Sequence, residues 1–207
     1  MTDPQPSPAK ESALLTALTT EHFVLQSAAS TITAESGTWA TLYVMALSSS
    51  LVALGFAAQS RTAFVPLAAA VIPTVFVLGV FTVVRLIETG MQNMVFLRRI
   101  VRIRRYYRDL APEAASYFGA PGASETDDVL AELGIGVAGP LAPFFTLAMM
   151  VATINGIVGG SGVALLAVAI LGTGWIVVAV LLGLAMFAAT IIACRIYQRR
   201  SWRAGGW

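Results

Sequence analysis

The sequence lacks charge over a very long stretch. Residues 133–194, which are 62 consecutive positions, contain no Asp, Glu, Lys, Arg or His. A water-soluble domain needs polar side chains on its surface, whereas a run of 18 or more apolar residues without charge is typical of a membrane-spanning helix. The absence excludes an ordinary soluble domain and predicts an integral membrane protein.

The chain also has little of the chemistry that catalysis and metal binding require. One cysteine, Cys194, and one histidine, His22, exclude an intrachain disulfide and a typical zinc or haem site. The candidate spans contain no carboxylate, lysine or histidine, so acid–base catalysis and proton-coupled transport have no residues to use there. We expect a protein that is not an enzyme and has no metal or cofactor. The first residues predict no cleaved signal peptide.

What is present predicts an all-α membrane protein with four transmembrane helices arranged as two hairpins. The first hairpin covers residues 37–86, and its spans lie at residues 39–58 and 63–84. Each span has about 20 residues, which matches a bilayer core of about 30 Å. The polar residues 59–62 are predicted to form the turn between them.

The second hairpin is predicted at residues 135–197. Three spans of about 20 residues each would leave no residues for turns, so two spans are expected. The sequence Gly-Gly-Ser-Gly at residues 159–162 favours an outer turn. Residues 163–197 are then too many for one simple span. A long tilted helix is favoured over a break at residues 172–174 with a short re-entrant piece at 163–171.

The distribution of basic residues indicates the orientation. Of 13 basic residues, seven lie between Arg85 and Arg108 and four between Arg195 and Arg203. With two spans in the second hairpin, both groups lie on one side, and the positive-inside rule makes that side cytoplasmic. Both termini are therefore expected inside. The preference for Arg, Ala and Gly suggests a bacterial genome, and hence a bacterial inner membrane. Five aromatic residues are predicted to anchor the interface: Trp39, Tyr43, Tyr197, Trp202 and Trp207.

The remaining segments are predicted to lie in the cytoplasm. Residues 1–8 are expected to be a disordered tail, 9–36 an amphipathic helix, 87–134 a basic helix followed by a short acidic helix capped by Ser124, and 198–207 a basic aromatic tail. Apolar stripes at spacings of three and four residues suit the first two helices to pack on each other or on a neighbouring chain. They comprise Leu15, Leu18, His22, Leu25, Ala29 and Ile32, and then Phe96, Ile100, Ile103, Tyr107 and Leu110.

Arginines in the basic helix are the strongest polar signal. Because they follow a span directly, topology and anionic lipid of the inner leaflet are favoured over nucleic acid. The predicted lipid-binding residues are Arg98, Arg99, Arg102 and Arg105.

Polar and small residues within the spans have two interpretations each. Ser48, Ser49 and Asn155 are candidate pore-lining residues, although hydrogen bonds to a neighbouring helix or to their own backbone are favoured. Small residues at every fourth position let helices approach closely, either within the chain or between copies. The predicted helix-packing residues are Ala148, Ala152, Gly156 and Gly160.

Four further ionisable residues are candidates, three of them beside the first hairpin and the fourth, His22, in the amphipathic helix. Glu35, Arg85 and Glu88 are predicted at the same depth, as an inner gate or a binding ring or, more commonly, as snorkelling or paired interfacial residues. His22, in its apolar stripe, is either a pH sensor or, as we favour, a partly buried and hydrogen-bonded side chain.

The order of segments over residues 12–110 resembles the SLATT-type bacterial membrane effectors. It consists of a soluble helix, a hairpin of spans turned at residues 59–62, and a long helix containing the sequence RRIVRIRRYYR. The likeness is one of architecture, without a specific motif, and the second hairpin departs from the two-span pattern. Four short helices cannot easily enclose a path alone, so the glycines, the kinking prolines, the serine run and the cytoplasmic helices favour a homo-oligomeric pore or channel, and the resemblance implies a pore as well. The alternative function is a scaffold or accessory subunit that binds a membrane protein partner.

Overall fold

Helices make up nearly all of the part of the chain that the structure, a computed structural model, describes: residues 8–118, 124–133 and 146–205. No strand occurs in these ranges. The helices are α1 (Pro8–Ala57), α2 (Arg61–Leu110), α3 (Glu125–Glu132), α4 (Leu147–Leu171) and α5 (Ile176–Ala204), with short 3-10 turns at Pro112–Phe118 and Thr173–Trp175. α1, α2, α4 and α5 are each long and apolar enough to cross a membrane. The predicted all-α class with four candidate spans is confirmed to this extent.

Several predicted features fall outside the described residues. They are most of the predicted disordered tail at residues 1–8, part of the loop after α2, the beginning of the predicted second hairpin at residues 135–145, and Trp207.

The chain divides into two compact units. We call Met1–Ala34 with Gln92–Ala138 the helical unit, and Glu35–Met91 with Gly139–Trp207 the apolar unit. α1 and α2 contribute residues to both units. Each unit is described by itself.

In the helical unit, α1 and α2 pack through the predicted apolar stripes. Every residue of the α1 stripe is buried or half-buried. Leu25 forms a small core with Ile100 and Ile103 of α2. The spacing of three and four residues thus identified the packed faces correctly. Leu110 is the exception, because it is the last residue of α2 and remains exposed.

The short acidic helix α3 also belongs to the helical unit. Its predicted cap is confirmed, because the Ser124 hydroxyl accepts a hydrogen bond from the backbone N–H of Asp127. Three carboxylates in the first turn, Glu125, Asp127 and Asp128, are favourable next to the positive end of the helix dipole.

The core of the apolar unit is formed by α1, α2, α4 and α5. Its residues include Tyr43 of α1, Val83 and Ile87 of α2, Val151 of α4 and Cys194 of α5. Most large apolar side chains of these helices point outward and remain exposed, as expected for helices that face lipid or another chain.

The turn between the last two apolar helices lies at residues 172–175, and the predicted turn at residues 159–162 is wrong. α4 continues through residues 159–162 without interruption and ends at Gly172, which has a φ of +85° that favours glycine. The favoured single tilted helix over residues 163–197 is also wrong, since the helix is interrupted at residues 172–175.

Helix contacts explain why residues 159–162 do not form a turn. A Cβ on Gly160 would lie 2.7 Å from the carbonyl oxygen of Gly183 in α5, and one on Gly159 would lie 2.5 Å from the Phe76 ring of α2. These glycines are therefore places of close helix approach.

Candidate functional site

Two polar side chains meet in the interior of the apolar unit. The Tyr43 hydroxyl of α1 donates a hydrogen bond to Asn155 Oδ1 of α4, at 3.3 Å. Tyr43 is 0% exposed and Asn155 is 1% exposed. The prediction of Tyr43 as an interfacial anchor is therefore wrong, because the amide at position 155 gives its hydroxyl a partner inside the core.

Gly79 of α2 makes room for this pair. A Cβ at that position would overlap the side-chain amide of Asn155. α1, α2 and α4 thus come together at this polar contact, which is surrounded by apolar side chains. Asn155 Nδ2 is buried and has no hydrogen-bond partner among the described residues. A buried amide donor without a partner costs about 1–3 kcal/mol.

An apolar groove of about 520 Å³ adjoins Asn155. Side chains from α2, α4 and α5 line it, and apart from Asn155, Thr190 and Tyr197 they carry no oxygen or nitrogen. They are Phe76, Val80, Val83, Val84, Ile87, Ala152, Asn155, Met186, Ala189, Thr190, Ala193, Cys194 and Tyr197. The groove has the composition of a site for an apolar molecule.

Glu35, Arg85 and Glu88 form an ion group at one end of the charge-free parts of α1 and α2. Arg85 Nη2 lies 2.7 Å from Glu35 Oε1, and Arg85 Nη1 lies 3.7 Å from Glu88 Oε2. Trp39 Nε1 also donates to Glu35 Oε1, at 3.2 Å. The hydrogen bond from Arg85, and then that from Trp39, lowers the pKa of Glu35 below its usual value. The three predicted residues are paired, as the more common interpretation expects.

A second contact between α1 and α2 lies beside this ion group. The Ser36 hydroxyl donates to Thr89 Oγ1 at 2.8 Å. Since Glu35 and Arg85 are about one-third exposed, the ion pair alone stabilises this contact only modestly. The hydrogen bond between Ser36 and Thr89 adds a second, uncharged contact between α1 and α2.

The arginine cluster of α2 is paired with the acidic residues of α3 in the helical unit. Asp128 forms ion pairs with both Arg105, at 2.8 Å, and Arg108, at 3.2 Å. Glu125 lies 3.5 Å from Arg98 and 3.0 Å from Arg102, and Glu132 pairs with Arg104. Three of the four predicted lipid-binding arginines, Arg98, Arg102 and Arg105, are thus in ion pairs, while Arg99 is exposed.

His22 lies half-buried in the helical unit. Its Nδ1 atom is buried and has no hydrogen-bond partner among the described residues, so the favoured hydrogen-bonded state is not seen at this atom. Burial, together with the positive charge of Arg104, lowers its pKa, while Glu132 acts in the opposite direction.

The candidate pore-lining residues do not share one face. Ser48 and Ser49 are exposed on α1, whereas Asn155 is buried in the interior. The Ser49 hydroxyl donates to the carbonyl oxygen of Met45 in its own helix.

The four helix-packing residues of α4 all lie inside the apolar unit. Ala148 and Ala152 are 6% and 0% exposed, and Gly156 and Gly160 are also buried. A Cβ on Gly156 would lie 2.9 Å from the Phe187 ring of α5. Gly156 and Gly160 thus serve contacts between α4 and α5 within this chain.

Comparison with protein families, curated proteins and solved structures gives no match. The function must therefore be argued from the residues themselves. Among the described residues, no group of three or more His, Cys, Asp or Glu side chains could hold a metal ion.

Sequence reasoning missed Tyr43, Gly79 and the groove. One signal pointed to them, namely that Asn155 is the only amide deep within a candidate span and needs partners in an apolar interior. Which helix supplies those partners depends on the packing of three helices, and the sequence pattern does not specify this.

Proposed function

We propose that the protein inserts into the bacterial inner membrane as two hairpins with both termini in the cytoplasm, and that copies of it assemble into a homo-oligomeric pore or channel. The protein has no enzymatic role in this proposal. Each of the four apolar helices contains a long charge-free stretch, which supports the insertion. In α2 and α5 this stretch is followed by arginines, which supports the orientation.

A path through a single chain is not supported, because the centre of the apolar unit is filled. Tyr43, Val151 and Ala152 are 0% exposed and Asn155 is 1% exposed. A conducting path therefore has to lie between copies of the chain. Such a path would be lined by the outer faces of the apolar helices.

The observation that carries the proposal is a row of small and hydroxyl residues on the outer face of α1. Thr41, Ser48 and Gly55 follow one another at seven-residue intervals and therefore share one helix face. All three are exposed in the described chain, and a Cβ on Gly55 would meet no atom within 4 Å. Small residues let helices from different chains approach, and hydroxyls can line a polar path.

Ion flux through liposomes tests the proposal. Purified protein should form a closed homo-oligomer in mild detergent and should conduct ions after reconstitution. A bulky apolar side chain in a pore favours dewetting, so Ser48→Trp should reduce the flux about ten-fold or more. Leu42→Trp is the matched control, because Leu42 is exposed on a different face of the same helix. A homo-oligomer without flux, or equal flux in both variants, would contradict the pore.

The scaffold function is the second candidate, and exposed apolar residues in the helical unit favour it. Phe23 and Val24 are 65% and 56% exposed, and they lie on the N-terminal part of α1, before its charge-free part begins after Glu35. Adjacent apolar side chains on such a surface suit a protein partner. Purification as a stable hetero-complex would support the scaffold against the pore.

Besides other copies of the chain, anionic lipid of the inner leaflet is a proposed partner. Arg99 is exposed, and Arg102 is 64% exposed despite its ion pair. Each basic residue near an anionic surface contributes about 1 kcal/mol to membrane binding. Nucleic acid is not part of the proposal.

A further inference from the structure

His22 of α1 is exposed to charges from two other helices of the helical unit. Among the described residues, Arg104 of α2 and Glu132 of α3 are the charged groups that act on its imidazole. Arg104 and Glu132 are themselves joined by an ion pair, with side chains that are 26% and 36% exposed. One cluster of ionisable groups therefore links α1, α2 and α3.

A proton on His22 is poorly accommodated in this cluster. The Nδ1 atom is buried and has no hydrogen-bond partner among the described residues. Because a protonated imidazole carries an N–H on both ring nitrogens, Nδ1 would become a buried donor without an acceptor. The positive charge of Arg104 also opposes the proton more strongly than the negative charge of Glu132 favours it. The charged form thus favours an arrangement in which the ring reaches water.

The short helix α3 is the part of the cluster that can move at the lowest cost. α1 and α2 are held together by the apolar core around Leu25, Ile100 and Ile103. α3 has only eight residues, so it has little helical stability of its own and depends on its contacts with α2. Local opening starts at elements of this kind. Release of α3 would remove Glu132, open that side of the cluster to water, and let water screen the repulsion between His22 and the arginine.

We propose that α3 is an acid-released latch over the arginines of α2, and that protonation of His22 opens it. At neutral pH the carboxylates of Glu125, Asp128 and Glu132 keep arginines of α2 in ion pairs within the chain. After release, the same guanidinium groups can pair with phosphates instead. The consequence of release rests on the proposed binding of anionic lipid, whereas the release itself does not depend on it.

A spin label on α3 tests the release directly. Full-length protein in mild detergent, with Cys194→Ala to remove the native thiol, carries a nitroxide at Thr126→Cys, an exposed position of α3. Spectra are compared at pH 7.5 and pH 5.5, which lie above the ordinary carboxylate pKa of about 4, so the acidic residues of α3 keep their charge. The ratio of mobile to immobile label should rise about 2- to 5-fold in acid, the effect of one partly exposed charge interaction.

Substitutions of His22 identify the source of the response. His22→Leu and His22→Gln cannot take up the proton, so each should remove the response to acid, and either variant serves if the other does not fold. His22→Arg carries a permanent positive charge and should make the α3 label mobile already at pH 7.5. A label at Ala17→Cys, an exposed position of α1, is the matched control, because it reports melting of the whole helical unit.

The possible results separate the latch from its alternatives. Mobility of the α3 label that rises in acid, is lost in the uncharged His22 variants and leaves the α1 label unchanged supports the latch. An equal response in wild type and the uncharged variants overturns it, as does an α3 label that stays immobile or labels that become mobile together. Binding to phosphatidylglycerol vesicles at the two pH values then tests the consequence. Release of α3 without stronger vesicle binding would contradict the lipid partner and still support the latch.

Discussion

At the scale of single residues, glycines in the apolar helices differ according to what lies opposite them. Gly160 and Gly183 approach backbone to backbone, so neither position has space for a side chain. Gly90 of α2 has no atom within 4 Å of the place where a Cβ would lie. The same substitution should therefore have opposite effects at the two kinds of position.

Gly160→Ala should destabilise the protein by about 1–3 kcal/mol, because the new methyl group would have to displace the backbone of α5. Gly90→Ala should be neutral or stabilising by about 0.5–1 kcal/mol, since alanine favours the helix. Unfolding of the detergent-solubilised protein, followed by circular dichroism, measures both. Equal effects of the two substitutions would contradict the close approach of α4 and α5.

His22 should make the helical unit sensitive to mild acid. Burial lowers its pKa in the folded state, so the folded protein disfavours the charged form. The unfolded chain binds a proton near its usual pKa of about 6.5, and stability should therefore fall as the pH decreases from 7 through 6.5 toward the folded pKa. Arg104 of α2 strengthens this effect, while Glu132 of α3 opposes it.

Hydrogen exchange of the backbone amides around Leu25 measures this dependence in the full-length protein. Wild-type protein should exchange faster at pH 5.5 than at pH 7.5 after correction for the intrinsic rate. His22→Leu should reduce the difference, because an uncharged apolar side chain fits the same half-buried position. An unchanged pH dependence in the variant would exclude His22 as its source.

At the scale of elements, α3 and the arginines of α2 act on each other. Asp128 is the central residue, since it is 9% exposed and pairs with both Arg105 and Arg108. Because α3 has only eight residues, it has little helical stability of its own and depends on these contacts.

Asp128→Asn should release α3 and free arginines for anionic lipid. We expect the helical unit to lose about 1–3 kcal/mol, because two guanidinium groups lose a charged acceptor. Binding to phosphatidylglycerol vesicles should increase at the same time. Asp109→Asn is the matched control, since it removes the same charge from an exposed position on α2. Equal vesicle binding by the two variants would contradict the competition between α3 and lipid.

The elements also show what the sequence could predict. The packed stripes of α1 and α2 were identified because a spacing of three and four residues directly reflects helix geometry. The turn at residues 159–162 was misplaced, because glycines mark turns and close helix contacts equally well. Gly172 could be distinguished only by its positive φ, which is a property of the folded backbone. Tyr43 was misplaced because the sequence does not distinguish an interfacial tyrosine from a buried one. Only the packing of α1 against α4 shows that Asn155 is its hydrogen-bond partner.

The ion pairs of the arginine cluster were missed for a related reason. Glu125 lies 23 residues after Arg102, and Asp128 lies 23 residues after Arg105. Charges so far apart are brought together by the fold of the helical unit, which spacing along a single helix does not predict.

At the scale of the whole molecule, the corrected turn gives the proposed membrane topology a sharp test. Two outer turns are expected, at Ser60 between α1 and α2 and at Thr173 between α4 and α5. Ser161 lies near the midpoint of α4, so in this topology it is in the hydrocarbon core, whereas the rejected turn would place it in outside water.

Single cysteines in a Cys194→Ala background can locate these positions with a membrane-impermeant maleimide. Ser60→Cys and Thr173→Cys should be labelled in intact cells. Ser12→Cys and Ser201→Cys should be labelled only after the membrane is permeabilised, because in the proposed topology the arginines of α2 and α5 keep both ends in the cytoplasm. Ser161→Cys should remain unlabelled in both conditions, since a maleimide reacts with thiolate and the hydrocarbon core disfavours that charge. Labelling of Ser161→Cys in intact cells would restore the turn at residues 159–162, and labelling of Thr173→Cys only after permeabilisation would reverse the second hairpin.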